Sequence, residues 1–373
     1  MRIFTISGSS VAETDALTPL ANVRLPEQGY LWIACERREF ELMQAPIQAA
    51  LQALCGMQLV DLHISDLLNP QLPSRYDYTS QYDILVFRRL ATGSTETTPA
   101  QPGQPLRHLP ARGGPPILRR IDTSPVGFAV FDHILLTVHP TDCAVRDAYA
   151  AKLLNSAAAE SHAAGSRLPG SPADLMLRIV NQMVDGYLEL RRELTHQLDH
   201  WQAELVNPKT RFNNWAALLD ARLSLHHLDE ICEDQRSAVQ DWIEALKTWP
   251  DAATPGGQRE RDLLQVRSRD VLEHIERVVN HVRRLEQSAE TAVQMHFNAQ
   301  SHRTNEIMRT LTVLTAIFLP LNLIAGIFGM NFEFIPLLHL SNGFWIAMII
   351  MLLTASGLLL FFWRKRYLER SAR

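Results

Sequence analysis

The chain has 373 residues, 46% of them hydrophobic and 20% charged, with a formal net charge of -4 at neutral pH. That length holds one large or two ordinary domains, and a slightly acidic chain gives no reason to expect nucleic acid as a partner. Four cysteines, Cys35, Cys55, Cys143 and Cys232, lie far apart with no CxxC pair, so reduced thiols are expected rather than bridges or a zinc knot.

The first residues, Met1-Arg2-Ile3-Phe4-Thr5, lack the basic-then-apolar pattern of a cleaved signal peptide, which points to a cytosolic amino-terminal body. Residues 1–158 have a mixed texture. Leu31 to Cys35, Gln58 to Leu62, Ile84 to Phe87, Gly127 to Phe131 and Ile134 to Val138 read as strands, and Glu39 to Leu54 reads as a helix with Phe40, Met43, Ile47, Ala50, Leu51 and Leu54 on its apolar side. Interspersed strands and helices predict an α/β domain. Residues 92–116, rich in Pro, Gly, Thr and Gln, read as a flexible loop inserted into it.

A loose stretch from Ser156 to Pro172 leads into a helical region, residues 173–309. One helix, with Leu175, Ile179, Met183, Tyr187, Leu190, Leu194, Leu198 and Trp201 at helical spacing, precedes a second from about Phe212 to Leu246, and Pro250 to Gly257 turns the chain back. Within them, His196 and His200 stand four apart and His226-His227 follows, a usable zinc spacing that no Cys or carboxylate completes; surface histidines are the plainer reading. The run from Asp229 to Asp234 reads as a solvated helix face.

From Gln258 to Leu319 there is neither Gly nor Pro, which predicts one long helix starting near residue 258. Leu264, Val271, Val278, Leu285 and Ala292 recur every seven residues, with Ile275, Val282 and Ala289 interleaved, the pattern of a packed helix bundle. No stop signal separates this helix from the apolar run at 310–328. That run and a second, 344–363, contain no Asp, Glu, Lys or Arg, and each is long enough to cross a bilayer. Arg303 and Arg309 precede the first; Arg364, Lys365, Arg366, Arg370 and Arg373 lie in the basic tail 364–373 after the second; the connecting loop 329–343 has no Lys or Arg. Both termini are therefore expected in the cytoplasm and the loop outside.

In and before the first span, Asn305, Met308, Thr312, Thr315, Leu319, Asn322, Gly326 and Gly329 follow steps of three and four, one face of a helix. An Asn in hydrocarbon needs another helix or water. Close helix packing around Thr, Gly and Asn322 accounts for each residue alone; two asparagines on a shared face favour several copies arranged around a wet axis. Pro320 adds a freed carbonyl or a kink.

Asn305-Glu306-Ile307-Met308, Leu311-Thr312, Ile317-Phe318-Leu319-Pro320, Ile324-Ala325-Gly326-Ile327-Phe328 and Gly329-Met330-Asn331-Phe332-Glu333 closely resemble the CorA family of magnesium transporters, and the likeness extends through Arg269-Asp270-Val271. The resemblance implies an α/β cytosolic domain, a long-helix bundle and two carboxyl-terminal transmembrane helices assembled as a funnel-shaped homopentamer in the inner membrane. By matching positions, Gly329, Met330 and Asn331 would form the selectivity filter, Glu333 would stand at the outer mouth, and Asn305, Met308, Leu311, Thr312, Asn322 and Gly326 would line the pore. Mg²⁺ would be both the transported ion and a regulatory one, with Asp270 matching a regulatory position; the alternative reading of Asp270 is an exposed helix carboxylate paired with Arg267 or His274, and no organic cofactor is implied. The sequence departs from the family at Phe328, where Tyr is usual, and at Leu337, where Glu is usual, leaving Glu333 as the loop's only acidic residue beside His339.

A ring of neutral amide oxygens suits a hydrated Mg²⁺, which sheds water reluctantly. Zinc, cobalt or nickel is the alternative cargo, and a membrane-anchored sensor or scaffold that conducts nothing is the reading from another class. No phosphate-binding loop and no nucleophile–base set appears, so an enzyme is not expected.

Overall fold

The computed structural model describes residues 1–8, 10–14, 20–90, 123–141, 143–158, 168–206, 215–249, 254–330 and 342–365. The chain forms two compact units, one of residues 1–204 with 211–290, the other of residues 205–210 with 291–373.

The first unit is built on seven strands: β1 (Arg2–Ser7), β2 (Ser10–Glu13), β3 (Tyr30–Glu36), β4 (Arg75–Tyr78), β5 (Asp83–Leu90), β6 (Thr123–Val130) and β7 (Ile134–His139). They lie in the order β2-β1-β3-β7-β6-β5-β4. Every neighbouring pair is antiparallel except β3 and β7, which run parallel at the centre with Leu31 opposite Ile134. Helices cover both faces, so the central strands read as unbroken apolar runs (Tyr30-Leu31-Trp32-Ile33-Ala34-Cys35) instead of alternating.

Alternate side chains still go to opposite layers. Ile3, Leu31, Ile33, Ile84, Val86 and Leu136 pack with Phe40, Ile47, Leu51, Ile64 and Leu67 from α1 (Arg37–Leu42), α2 (Gln44–Cys55) and α3 (Asp61–Leu68). Phe4, Trp32, Leu85, Phe87, Phe128 and Leu135 share the other core with α4 (Ala144–Ala158), α5 (Pro172–Val206), α6 (Trp215–Thr248) and the first part of α7 (Pro255–Phe328).

Two local expectations are corrected. Gln58 to Leu62 is not a strand: the chain enters α3 at Asp61. The Gln48 side chain takes both backbone groups of Leu59, donating to its carbonyl and accepting from its N–H at 2.8 Å each, while Val60 N–H donates to Tyr82. With those groups satisfied, no ladder forms there. The single helix expected over 39–54 is two, broken at Met43 and closed by Gly56 in the left-handed region.

The heptad positions are buried as their spacing requires: Leu264, Val271, Ile275, Val278, Val282, Leu285 and Ala289 all lie in the larger core. Buried polar groups bind the layers. Tyr187 on α5 and Gln235 on α6 both donate to the Arg88 carbonyl, at 2.9 and 2.7 Å. Trp242 on α6 donates to Ser268 Oγ on α7, and the Ser268 hydroxyl donates in turn to the Leu264 carbonyl.

The second unit holds the rest of α7 and helix α8 (Gly343–Arg364). α7 runs without a break through Pro320 to Phe328. Pro320 has no N–H, so the carbonyl of Ala316 lacks its intrahelical partner.

Candidate functional site

The apolar half of α7 and helix α8 are both long and apolar enough to cross a membrane, yet only 6% of each apolar window is buried. A core helix of a soluble domain would be mostly covered; here the apolar surface lies open. Trp345 and Trp363 bracket α8, eighteen residues and therefore roughly 27 Å apart, about the thickness of a hydrocarbon layer.

Each of these helices is covered along one stripe. On α7, Val313 is buried, and Ala316, Ile317, Pro320, Leu321, Ile324 and Phe328 are half-buried. On α8, Gly343 and Ala347 are buried, with Ile346, Met351, Thr354, Ala355, Leu358 and Phe362 half-buried. Asn322 comes nine positions after Val313, which at roughly 100° per residue places it on the opposite side of the helix. Of the residues singled out from the sequence, Met308, Leu311, Thr315, Leu319 and Gly326 share that side to within about 60°, and Asn305 and Thr312 stand at its edge. Asn305, Met308, Leu311, Thr312, Thr315, Leu319, Asn322 and Gly326 are all exposed, and Leu319 keeps 68% of its surface where Val313 keeps 3%.

Their chemistry is one-sided. Thr312 donates its hydroxyl proton to the Met308 carbonyl at 2.7 Å, and Thr315 donates to Leu311 at 2.9 Å. With the proton spent on the preceding turn, each hydroxyl oxygen presents only lone pairs outward. Among the described residues neither the Asn305 nor the Asn322 side chain has a hydrogen-bond partner. A Cβ added at Gly326 would meet nothing within 4 Å, so no contact within this chain calls for a glycine there. Gly329 is different: it donates to the Ala325 carbonyl at 2.9 Å as the helix ends, and an added Cβ would come within 3.1 Å of that oxygen. Met330 follows, exposed. Asn331, Glu333, Leu337 and His339 lie outside the described residues, as do the 92–116 loop and the tail beyond residue 365.

Asp270 belongs to the first unit. It is exposed, with His274 Nε2 3.7 Å from its carboxylate. Arg267, one turn earlier, pairs instead with buried Asp174, which also holds Arg178 at 3.2 Å and the Gly170 N–H at 3.1 Å. Asp270 lines a cavity of about 330 Å³ with Lys152, Arg178, Asn181, Asp185 and Arg267. Lys152, Arg178 and Arg267 against Asp185, Asp270 and the adjoining Asp174 leave a single chain no surplus of negative charge for a divalent ion there. The amide oxygen of Asn181 is buried with no hydrogen-bond partner among the described residues. Sequence reading missed Asp174 and this cavity. The signal for the first was present, since Ser171-Pro172-Ala173-Asp174 is a helix-start signature with Pro in the first turn.

A mixed sheet with helices on both faces, a long helix α7 that ends in a bare apolar segment, and a second bare apolar helix α8 define the class: an α/β unit joined to two candidate membrane spans. A family model described as CorA-like Mg²⁺ transporter protein matches residues 40–366. The chain belongs to that family. It is similar to the cobalt/magnesium transport protein CorA of Thermotoga maritima, 24% identical over 194 residues, which is 52% of each chain. It is 33% identical over 150 residues to the magnesium transport protein CorA of Salmonella typhimurium, covering 40% of this chain and 46% of that one. The chain thus spans about half the length of the curated relatives it matches. Its fold matches the complete structure of the CorA magnesium transporter from Methanocaldococcus jannaschii, with a TM-score of 0.69 at 18% identity over 98% of both chains. It also matches the full-length CmaX protein, at 0.66 and 16% identity over 98% and 97%.

Proposed function

We propose that the chain is one subunit of a homo-oligomeric divalent-cation channel, a pentamer of the inner membrane with both termini in the cytoplasm, whose cargo is Mg²⁺. The observation that carries this reading is the separation of faces on α7. The covered stripe around Val313 and the uncovered Thr315, Asn322 and Gly326 point in opposite directions, with Asn305 and Thr312 at the edge of the uncovered side. Amide groups facing hydrocarbon are costly, so the uncovered stripe belongs against water, and identical stripes from several copies supply it around a symmetry axis.

The lone pairs that Thr312 and Thr315 direct outward accept hydrogen bonds from the water shell of an ion. Mg²⁺ keeps that shell more tenaciously than other common divalent ions. Neutral acceptors hold such an ion loosely enough for it to leave. Asn331, with Gly329 and Met330 shaping the turn before it, is the proposed filter, and Glu333 the outer acidic group. Met308 and Leu311 narrow the cytosolic end. An inside-negative potential supplies roughly 4 to 5 kcal/mol per 100 mV for a divalent ion, so no enzymatic step is required. Names of relatives such as the Thermotoga protein support cobalt as a second cargo. For regulation, Asp270 holds a closing Mg²⁺ only together with carboxylates of a neighbouring subunit, given the charge balance of its own cavity.

The test is flux into liposomes. Purified chain should admit Mg²⁺ under an imposed inside-negative potential, and Asn331→Ala should suppress it. A scaffold would conduct nothing in either form. Competition among Mg²⁺, Co²⁺, Zn²⁺ and Ni²⁺ in the same assay ranks the cargo.

A further inference from the structure

Far along the chain from the polar stripe, the β4–β5 and β6–β7 turns of the first unit meet the start of α5, the end of α6 and the start of α7 around a cavity of about 480 Å³. That volume is in the range of small-molecule sites. Its walls combine aromatic rings (Tyr76, Tyr78, Trp249) with carboxylates (Asp83, Asp132, Glu260).

The rings are held in place. Tyr76 stacks on Tyr78 with centroids 6.1 Å apart, and both Tyr76 and Trp249 stand edge-on to buried Trp242, at 5.8 and 5.6 Å. Asp83 accepts a short hydrogen bond from the Tyr76 hydroxyl. Asp132 and Glu260 have no hydrogen-bond or ion-pair partner among the described residues. The cationic side chain on the wall, Arg261, is directed to the Lys247 carbonyl at 2.9 Å, the end of α6.

An anion finds little here. The start of α5 is already served, because Ser171 Oγ accepts the Asp174 N–H and the Asp174 carboxylate occupies the same end. A bare metal ion is also poorly matched: the described residues contain no group of three His, Cys, Asp or Glu placed to hold one. An alkylammonium group satisfies both kinds of wall at once, its charge against the carboxylates and its methylenes or methyls on the ring faces.

We infer that this cavity binds an organic cation of the alkylammonium class, a linear polyamine or a quaternary ammonium compound. The site is distinct from the polar stripe, and its test does not depend on transport. The full chain in detergent, with MgCl₂ present throughout to occupy non-specific acidic surface, is titrated calorimetrically with spermidine, with choline and with ATP. Spermidine or choline should bind, and which of the two does so distinguishes a polyamine from a quaternary ligand. Glu260→Gln and Tyr78→Ala, both at surface-accessible positions, should each weaken binding about tenfold or more while leaving the thermal unfolding midpoint unchanged. Absence of binding by both ammonium probes at roughly millimolar concentration, equal binding by the variants, or binding of ATP alone would overturn the assignment.

Discussion

Thr312 gives its hydroxyl proton to the carbonyl oxygen of Met308, 2.7 Å away on the same helix. The side chain is thereby oriented and turned into a pure acceptor on the uncovered face. Thr312→Ser keeps that acceptor, whereas Thr312→Val keeps the shape and removes it. In the liposome assay the valine variant should lose about tenfold or more of Mg²⁺ influx, a loss of the order of one hydrogen bond to a charged species, and the serine variant should stay near the parent. Equal flux in all three would remove this face from the conduction path.

Gly29 has φ +125°, and a Cβ built on it would lie 2.0 Å from the Ile6 carbonyl oxygen. Backbone atoms cannot yield as a flexible side chain would. Gly29→Ala should therefore cost on the order of 2 to 4 kcal/mol, read as a lowered denaturation midpoint of the full chain. Gly8, also at positive φ but with open space around it, should cost about 1 kcal/mol as alanine.

Ser268 is fully buried and accepts from Trp242 at 2.9 Å while donating to Leu264. Ser268→Ala strands the indole N–H inside the α6–α7 contact. Chemical denaturation should show a loss of about 1 to 3 kcal/mol. Replacing Trp242 as well by Phe should recover part of the polar cost, since no donor is then left unpaired.

His139 is buried at the end of β7, its Nδ1 3.0 Å from the Pro140 carbonyl and its Nε2 3.3 Å from Arg146. Burial, opposed by the carbonyl and helped by the Arg146 charge, takes its pKa down to about 4. An unfolded chain takes up this proton near pH 6.5 while the folded chain does not until about pH 4, so stability is present above 6.5 and falls as the pH drops between those values. The contribution amounts to roughly 3 kcal/mol over that window. Melting curves at pH 7 and pH 5 should show a drop for the parent that His139→Gln largely abolishes. The same drop in the variant would overturn the assignment to His139; Glu13 and Asp147, which Arg2 and Arg146 hold below their ordinary range, lose their contribution only at lower pH, below the ordinary carboxylate range.

Local pattern made much of this protein legible in advance. An unbroken run without Gly or Pro and a seven-residue apolar repeat are properties of neighbouring residues, so α7 and its buried seam were readable directly. So were the two charge-free spans and the stripe from Asn305 to Gly326, because a helix maps spacing onto faces without help from the rest of the chain. Motif order near the carboxyl end carried the family. What the residues could not announce was how distant segments meet. The parallel junction of β3 and β7 and the pairing of Arg267 with Asp174 join positions remote in sequence, and the Gln48 side chain satisfies Leu59, eleven residues on, where a strand was expected. Which side of the first span is covered, Val313 or Asn322, also required packing: periodicity defines faces, but only neighbours decide which one is buried.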